Sequence, residues 1–452
     1  MGRLLERAGL CRLVGFAAVF LSFMLGTYSP SNPSSANTWS LLRETLYSLC
    51  ELDGPGQLPT LNNSVKAAHG VSEFLVTLND DGWDAEILTE EGFLSVQKFL
   101  LRGGPERLIL EFFGGAKARP EWLVVVGSGC NVRTARRLDY DGRGVLQRLH
   151  YLDAKLMEVR VTDELNPLVP DGTMQDGVRV AVVDSGVNYL LSQINARLSR
   201  DANGRVRGYD FWDLDNQPFD YIPIPSPFFP SRHGTKIMSV IIQSSSEVVV
   251  LPYRYPRFNM SRMASLTDHI ANNKARIVNV SLASNDRDAW SAFGHSIMMY
   301  PDILFIVAAG NDDRNIDQVP IYPASFASDN IIVATGGTPE GYLAPGANWG
   351  MKAVDFLVPS ERVRVLDFDG RKKWVGGSSY AAARVSGLVV CILAKNPKLD
   401  VGSLRQELFS RAGRINDGHM VRHGFLKEAE FSGGNNCGRG LETNRSLRQL
   451  GN

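Results

Sequence analysis

The chain has 452 residues, of which 44% are hydrophobic and 21% charged, a composition typical of a globular protein with room for two or three domains. Its 48 basic and 48 acidic side chains give a formal net charge of zero, which argues against a polyanionic partner such as nucleic acid. The sequence contains no Cys-x-x-Cys pair and no His-Glu-x-x-His motif, so it predicts no metal catalyst.

An apolar run from Leu13 to Leu25 follows Arg3, Arg7 and Arg12 near the N-terminus. Its length matches the apolar core of a secretory signal peptide and is short for a membrane span. We therefore predict a signal peptide over residues 1–27, a flexible Pro- and Ser-rich linker over 28–60, and a secreted or extracytoplasmic protein. Because no small-x-small cleavage site stands out, the alternative is a membrane anchor that stays uncleaved.

Four cysteines remain beyond this segment, namely Cys50, Cys130, Cys391 and Cys437. In an oxidising compartment they allow two disulfides, with three possible pairings. Cys391 lies within the apolar run SGLVVCILA, which predicts a buried thiol rather than a bridge.

The region over residues 61–165 mixes strand-like and helix-like patterns. Strands are predicted at Glu73–Asn79, Arg107–Phe113, Glu121–Gly127 and Lys155–Thr162, and helices at Thr89–Leu101, with Thr89 as N-cap, and at Gly142–Leu152. This order, β-α-β-β-α-β, predicts a smaller α+β domain of the ferredoxin-like kind.

Short Val- and Ile-rich runs recur through residues 166–431, as expected for strands buried on both faces of a parallel sheet. They lie at Gly177–Gly186, Glu247–Tyr253, Ala275–Leu282, Asp302–Gly310 and Asn330–Gly336, and the clearest helices between them are Arg232–Gln243 and Met263–Asn273. The alternation predicts an α/β domain, with a parallel sheet flanked by helices on both faces, followed by a C-terminal tail over 432–452.

Four polar side chains stand where these strands end or helices begin, namely Asp184, His233, Asn311 and Ser379. Each alone has an ordinary explanation, because Asp and Asn favour turns and Ser favours helix N-caps. Together they supply an orienting carboxylate, a general base, an oxyanion donor and a nucleophile, which are the groups that acyl transfer by a serine needs. The chain order Asp, His, Ser is that of subtilisin, and neither serine of GGSSYA fits the Gly-x-Ser-x-Gly pattern of α/β-hydrolases.

Five segments in this order resemble the sequence blocks of the subtilisin-like serine proteases, or subtilases: VAVVDSGVN, HGT, VNVSLAS, VAAGND and GSSYAAARVSG. The resemblance covers about Gly177 to Phe431 and implies a secreted serine endopeptidase that works through an acyl-enzyme. It implies that Asp184 orients, His233 is the base and Ser379 is the nucleophile, with Asn311 as oxyanion donor. Ser378 takes the place of the family's threonine.

The resemblance also implies a substrate site and a pro-region. Ser281, Leu282, Ala283 and Gly310 match the segments that pair with an extended peptide substrate. Because subtilases often carry a propeptide of β-α-β-β-α-β fold, residues 61–165 are expected to inhibit the cleft of a zymogen until they are cleaved. The expected partners are polypeptide substrates and this domain. No cofactor is assigned, although structural calcium is common in the family and the Asp-rich stretch DFWDLDNQPFD is a candidate for it.

Several positions depart from the family's pattern. Ala383 and Arg384 replace a Pro-His pair, Lys236 replaces a second histidine, and Ala283 replaces a glycine where the substrate runs close. None removes a member of the triad, so an active protease is the first hypothesis. A catalytically silent relative that binds peptides or partners through the same cleft is the alternative. A non-protease acyl hydrolase is disfavoured, because a small ester needs no strand to pair with.

Overall fold

The computed structural model describes residues 36–50, 71–80, 82–100, 106–115, 117–415 and 420–431. The predicted signal peptide, most of the predicted linker and the predicted C-terminal tail lie outside the described residues. The chain divides into two compact units. The first runs up to Asn166 and includes Pro223–Pro230, and the second holds Pro167–Ile222 and the chain from Ser231 onward.

The first unit is an eight-stranded sheet in which each strand pairs antiparallel with the next along the chain. A helix, α1 (Ala36–Cys50), packs Leu42, Leu46 and Leu49 into the core of this unit, against side chains such as Leu94. The strands are β1 (Glu73–Asn79), β2 (Gly82–Leu88), β3 (Gly92–Leu100), β4 (Glu106–Gly114), β5 (Arg119–Gly127), β6 (Asn131–Tyr140), β7 (Leu146–Leu152) and β8 (Val159–Glu164).

The predicted ferredoxin-like fold of this unit is wrong, because both predicted helices are strands. Thr89–Leu101 contains β3, where Leu94 and Val96 are buried, and Gly142–Leu152 contains β7. Thr89 caps no helix: its N–H and its hydroxyl both donate to the carbonyl of Gly92, which closes a tight turn into β3. Leu and Gln are found in both helices and strands. Here the burial of side chains such as Leu94 and Val96, two residues apart on one face of the sheet, favours the strand.

Two further predictions, one about the N-terminal linker and one about Cys391, fail. The linker predicted over 28–60 contains α1, which is held to the sheet by its leucines. Cys391 is disulfide-bonded rather than a free thiol, and its partner lies outside the described residues. The described disulfide joins Cys50 to Cys130 across 80 positions, and a loop of that length contributes about 4.5 kcal/mol in the chain-entropy account.

The second unit confirms the predicted parallel α/β architecture. Its main sheet has the order β10-β11-β9-β12-β13-β14-β15-β18, with every pair parallel. The strands are β9 (Val178–Asp184), β10 (Tyr209–Asp210), β11 (Val248–Arg254), β12 (Ile277–Val280), β13 (Leu304–Ala308), β14 (Ile331–Gly337), β15 (Phe356–Pro359) and β18 (Gly424–Phe425), and β16 (Val363–Leu366) with β17 (Lys372–Val375) forms a separate antiparallel hairpin. The helices are α2 (Ser192–Asn195), α3 (Gly234–Ser244), α4 (Met263–Asn272), α5 (Ser291–Met299), α6 (Ser378–Lys395) and α7 (Val401–Arg411).

Alternate residues of each central strand enter two different hydrophobic cores, one on each face of the sheet. In β9, Val180 and Val182 join the core that contains α3 and α6, whereas Ala181 and Val183 join the core that contains α4 and α5. This is why the strands read as unbroken apolar runs.

Among the described residues, α6 is the helix that is long and apolar enough to cross a bilayer. Of its 18 residues, 72% are buried inside the protein, as expected for a core helix. It packs closely on α3, because a Cβ on Gly387 would lie 2.6 Å from the Cβ of Ser244.

The segment Pro223–Pro230 leaves the second unit and joins the first. Ile222 and Ser231, at its two ends, pair with each other by backbone hydrogen bonds. Within the first unit, the Arg136 guanidinium donates to the carbonyl of Phe228 and lies 4.2 Å from the ring centre of Phe229. Phe228 is completely buried.

Candidate active site

The main sheet has a topological switch point beside β9. After β9 the chain adds β11 on one side of it and then β12 on the other. In parallel sheets, ligand sites form at such a point, outside the carboxyl ends of the strands. Asp184 is the last residue of β9, Ser281 follows β12, and Gly310 and Asn311 follow β13. The topology therefore brings these predicted residues to one edge of the sheet.

Asp184 and His233 are directly hydrogen-bonded. The Nδ1 atom of His233 lies 2.9 Å from Oδ1 and 2.8 Å from Oδ2 of the buried Asp184 carboxylate. Since the carboxylate accepts the Nδ1 proton, Nε2 keeps its lone pair, and the imidazole, which is 30% exposed, can act as a base there. Burial lowers the pKa of His233, but the charge of Asp184 and its hydrogen bond outweigh burial and leave the pKa above its ordinary value.

A buried carboxylate that the sequence analysis missed orients the start of α3. Asp220 accepts the N–H groups of His233 at 3.1 Å and Thr235 at 2.9 Å, and the hydroxyl of Ser185 at 2.5 Å. Ser185 in turn accepts the N–H of His233 at 2.9 Å. Burial raises the pKa of Asp220, against the lowering effect of these donors. Asp220 therefore caps α3 from a distant part of the chain, and its place at the end of DFWDLDNQPFD gave no signal of that role.

Two glycines permit the close approach of the start of α3 to the end of β9. A Cβ on Gly234 would lie 2.0 Å from the carbonyl oxygen of Gly186, and Gly186 itself has a φ of +88°. Any side chain at Gly234 would push His233 away from the end of β9.

The two serines at the start of α6 have different surroundings. Ser378 is fully buried, and its hydroxyl accepts the N–H of Gly310 at 3.1 Å. Ser379 is only partly buried and lies in the first turn, where the backbone N–H groups have no partner within the helix. The ring centre of the next residue, Tyr380, is 5.8 Å from that of His233, so the first turn of α6 lies close to His233. No hydrogen bond joins their side chains in the described part of the chain, and such bonds often tighten only with substrate present.

The side chain of Asn311 has a fixed orientation. Its Oδ1 accepts the N–H of Ser378 at 2.9 Å. Because a backbone N–H only donates, the amide oxygen must face Ser378, which leaves the amide NH2 group at Nδ2 free to donate elsewhere. Gly377, with a φ of +133°, has no side chain to fill the space beside this amide; a Cβ there would lie 3.3 Å from Oδ1.

Comparison with known proteins identifies the family. Residues 175–431, more than half of the chain, match the subtilase family of peptidases. The chain belongs to the subtilase family. Among curated relatives, alkaline serine exoprotease A of Vibrio alginolyticus is 28% identical over 55% of this chain and 44% of its own length. The thermophilic serine proteinase of Bacillus sp. (strain AK1) is 22% identical over 53% of this chain and 57% of its own length. The chain thus spans about half the length of these relatives.

Two solved structures are among the matches to this subtilase. A cold-adapted subtilisin-like serine proteinase matches with a TM-score of 0.46 and 24% identity, over 57% of this chain and 91% of that one. A lanthipeptide protease matches with a TM-score of 0.45 and 17% identity, over 56% and 87% of the two chains.

The predicted substrate segment extends β12 beyond Val280, its last paired residue. Leu282 is buried in a core, whereas Ser281 and Ala283 are partly exposed. The hydroxyl of Ser281 accepts a hydrogen bond from the side-chain amide Nδ2 of Asn279 at 3.0 Å, which anchors the start of this extension. A groove of about 510 Å³ begins beside Ser284, at the far end of the extension.

Two side chains at positions that depart from the subtilase pattern have partners of their own. Lys236 donates to the carbonyl of Arg232 at 2.5 Å and lies 3.7 Å from Asp367. Arg384 forms an ion pair with Glu428, and the helix that carries it runs without a break, as expected once the proline is lost.

The Asp-rich stretch considered for calcium has other partners. Asp210 lies 2.7 Å from the buried guanidinium of Arg254, and Asp213 contacts the same group. Burial raises the pKa of Asp210 to about 6, although Arg254 opposes this. Asp220, at the end of the stretch, caps α3. Within the described residues no group of three or more His, Cys, Asp and Glu side chains is placed to hold a metal ion.

Proposed function

We propose that this subtilase is a serine endopeptidase that uses Asp184, His233 and Ser379 as its triad. The observation that carries the proposal is the bond of 2.8 Å between His233 Nδ1 and Asp184, together with a partly exposed serine at the adjacent helix start. This arrangement fixes the imidazole through Nδ1 and leaves Nε2 available as a base.

In the proposed reaction, His233 removes the hydroxyl proton of Ser379 as Oγ attacks the carbonyl carbon of a peptide bond. The oxyanion that forms accepts hydrogen bonds from Nδ2 of Asn311 and from the N–H at the start of α6. The intermediate collapses, the C–N bond breaks, and the imidazolium gives its proton to the leaving amine. Water then repeats the sequence, with His233 as base, and releases the acid from the acyl-enzyme. Asp184 stays ionised and holds the imidazole throughout.

The substrate is proposed to be an extended polypeptide. Ser281, Leu282 and Ala283 continue β12 past its ladder, so a peptide can add there as a further strand, with Gly310 lining the opposite side. Ala283 stands in place of a glycine and adds a methyl group to the surface that faces the peptide. It therefore favours substrates with a small side chain at the position opposite it.

A fluorophosphonate probe tests the proposal, because it reacts only with an activated serine. The wild-type protein should be labelled on Ser379, and Ser378→Ala should still be labelled, whereas Ser379→Ala and His233→Ala should not. A folded wild type that stays unlabelled, with no hydrolysis of a peptide library, supports the alternative of a silent subtilase that binds peptides.

We also propose that the protein is exported and made as a zymogen cut between Asp171 and Gly177. All seven residues of that stretch are exposed. The residues just before it are held in place: the carbonyl of Pro167 accepts the hydroxyl of Tyr189 at 2.5 Å, and that of Pro170 accepts from Arg200 at 2.9 Å. Intact masses should show wild type losing its N-terminal part and Ser379→Ala retaining it. Full-length wild type that hydrolyses peptides would instead make the first unit a permanent accessory domain.

A further inference from the structure

A β-hairpin leads directly into the helix that carries Ser379. The hairpin consists of β16 and β17, and only Gly376 and Gly377 separate it from α6. Its turn is closed by a hydrogen bond from the N–H of Gly370 to the carbonyl of Asp367, and Gly370 has a φ of +79°. The hairpin is therefore a defined element that is joined to the N-terminus of α6, where Ser379 lies.

The hairpin is fixed to residues on both sides of His233. The N–H of Leu366 donates to the hydroxyl of Ser239, on α3, at 3.0 Å. The guanidinium of Arg232, directly before His233, lies 3.6 Å from the ring centre of Phe368 in the hairpin turn. These contacts place the hairpin beside the imidazole.

This position assigns the hairpin to one half of the substrate. In the proposed reaction His233 gives its proton to the leaving amine, so the chain on the C-terminal side of the cleaved bond departs past the imidazole. The acyl half lies on the opposite side, toward the extension of β12 and Asn311. The hairpin therefore flanks the departing half.

The outer face of the hairpin is basic and aromatic. Arg364 and Trp374 are cross-strand partners and both are exposed, Trp374 to 62%. Lys372 is exposed on the same strand as Trp374, and the guanidinium of Arg362 lies 5.6 Å from the Trp374 ring centre. In the described residues Arg362, Arg364 and Lys372 form no salt bridge, and Glu361 is the acidic neighbour in sequence. We call Arg362, Arg364, Lys372 and Trp374 the basic hairpin face.

The other cations of the hairpin are already neutralised. Lys373 contacts Asp367, and Arg371 lies 3.4 Å from Asp369. The charge that the hairpin offers to a ligand is therefore that of the basic hairpin face. An exposed tryptophan within such a face adds contact area for a bound peptide.

We propose that this protein prefers polypeptides with acidic side chains just after the cleaved bond, and that the basic hairpin face selects them. The inference rests on the proposed function. Because the cations are exposed, each carboxylate that pairs with one should raise kcat/KM by only about 1.5- to 5-fold, and salt should weaken the effect.

The test uses three fluorogenic peptides that are identical up to the cleaved bond and carry Glu-Glu, Gln-Gln or Lys-Lys as the second and third residues after it. The Glu peptide should have the highest kcat/KM and the Lys peptide the lowest at low ionic strength. The ratio of Glu to Gln should fall toward one in about 1 M salt, where the screening length is about 3 Å. The double variant Arg364→Gln, Lys372→Gln should lose most of this ratio in low salt.

Lys398→Gln is the matched control, because it removes one exposed cation beyond the far end of α6. That helix has 18 residues and is about 27 Å long, so Lys398 is remote from the site. It should leave the ratio unchanged.

Equal rates for all three peptides, or a double variant with the wild-type ratio, would overturn the inference and leave the proposed function standing. Failure of the wild type to cleave any of the peptides, together with no labelling by a fluorophosphonate, would instead overturn the proposed function.

Discussion

Replacing Asn311 by alanine should lower kcat by about 100- to 1,000-fold, which is the usual effect of losing one oxyanion donor and corresponds to about 2.7–4 kcal/mol. KM should hardly change, because the Nδ2 amine meets the oxyanion only in the transition state. The same substitution also removes Oδ1, which accepts the N–H of Ser378 at 2.9 Å. An N–H at a buried helix start then lacks its partner, and stability should fall by about 1–3 kcal/mol.

Asn311→Asp separates the two effects. A carboxylate can still accept the N–H of Ser378, so the protein should unfold at nearly the same urea concentration as wild type. It offers no donor, however, and its charge repels the oxyanion, so kcat should fall at least as far as in Asn311→Ala. The measurements are steady-state kinetics on one peptide and urea unfolding of both variants.

Two results would refute this reasoning. A defect confined to KM in Asn311→Ala would make Asn311 a substrate-positioning residue. Wild-type kcat in Asn311→Asp would show that the amine donates nothing to the transition state.

Three other outcomes are expected. Ser379→Ala should abolish peptide hydrolysis, whereas Ser378→Ala should retain it; equal loss in two folded variants would mean that the serine assignment is off by one. His233 must be neutral to act as base, and its pKa is raised, so the acidic limb of the profile of kcat/KM against pH should have its midpoint above the ordinary imidazole pKa of about 6.5. Asp184→Asn should move this midpoint to lower pH and lower kcat about 10⁴-fold. Asp220→Asn should lower the urea midpoint and also kcat, since it turns one acceptor at the start of α3 into a donor; an unchanged kcat would confine Asp220 to stability.

The sequence predicted the second unit well because burial on both faces leaves a direct trace in the chain. Strand β9 must fill two cores with consecutive residues, so it reads as an unbroken run of valines. The residues that follow such strands are then the natural candidates for a site. For this reason the sequence alone points to Asp184 and Asn311.

The first unit was predicted wrongly because its strands bury one face and carry residues that also suit helices. In β3, Leu94 and Val96 are buried while Gln97 and Lys98 are not, and a leucine and a lysine four residues apart fit a helix equally well. Asp220 was missed for a different reason. It stands 13 residues before His233, and only the folded chain brings it to the start of α3.

The excursion Pro223–Pro230 changes what a cut between Asp171 and Gly177 would produce. The first unit would then consist of two polypeptides, an N-terminal fragment and a loop that remains covalently part of the protease chain. Arg136 would hold Phe228 and Phe229 across that new boundary as a non-covalent complex. Cleavage and loss of the fragment are therefore separate events, the first governed by chemistry and the second by a dissociation constant and by dilution. The nicked protein would keep its N-terminal fragment wherever the dissociation constant of that complex is lower than the protein concentration.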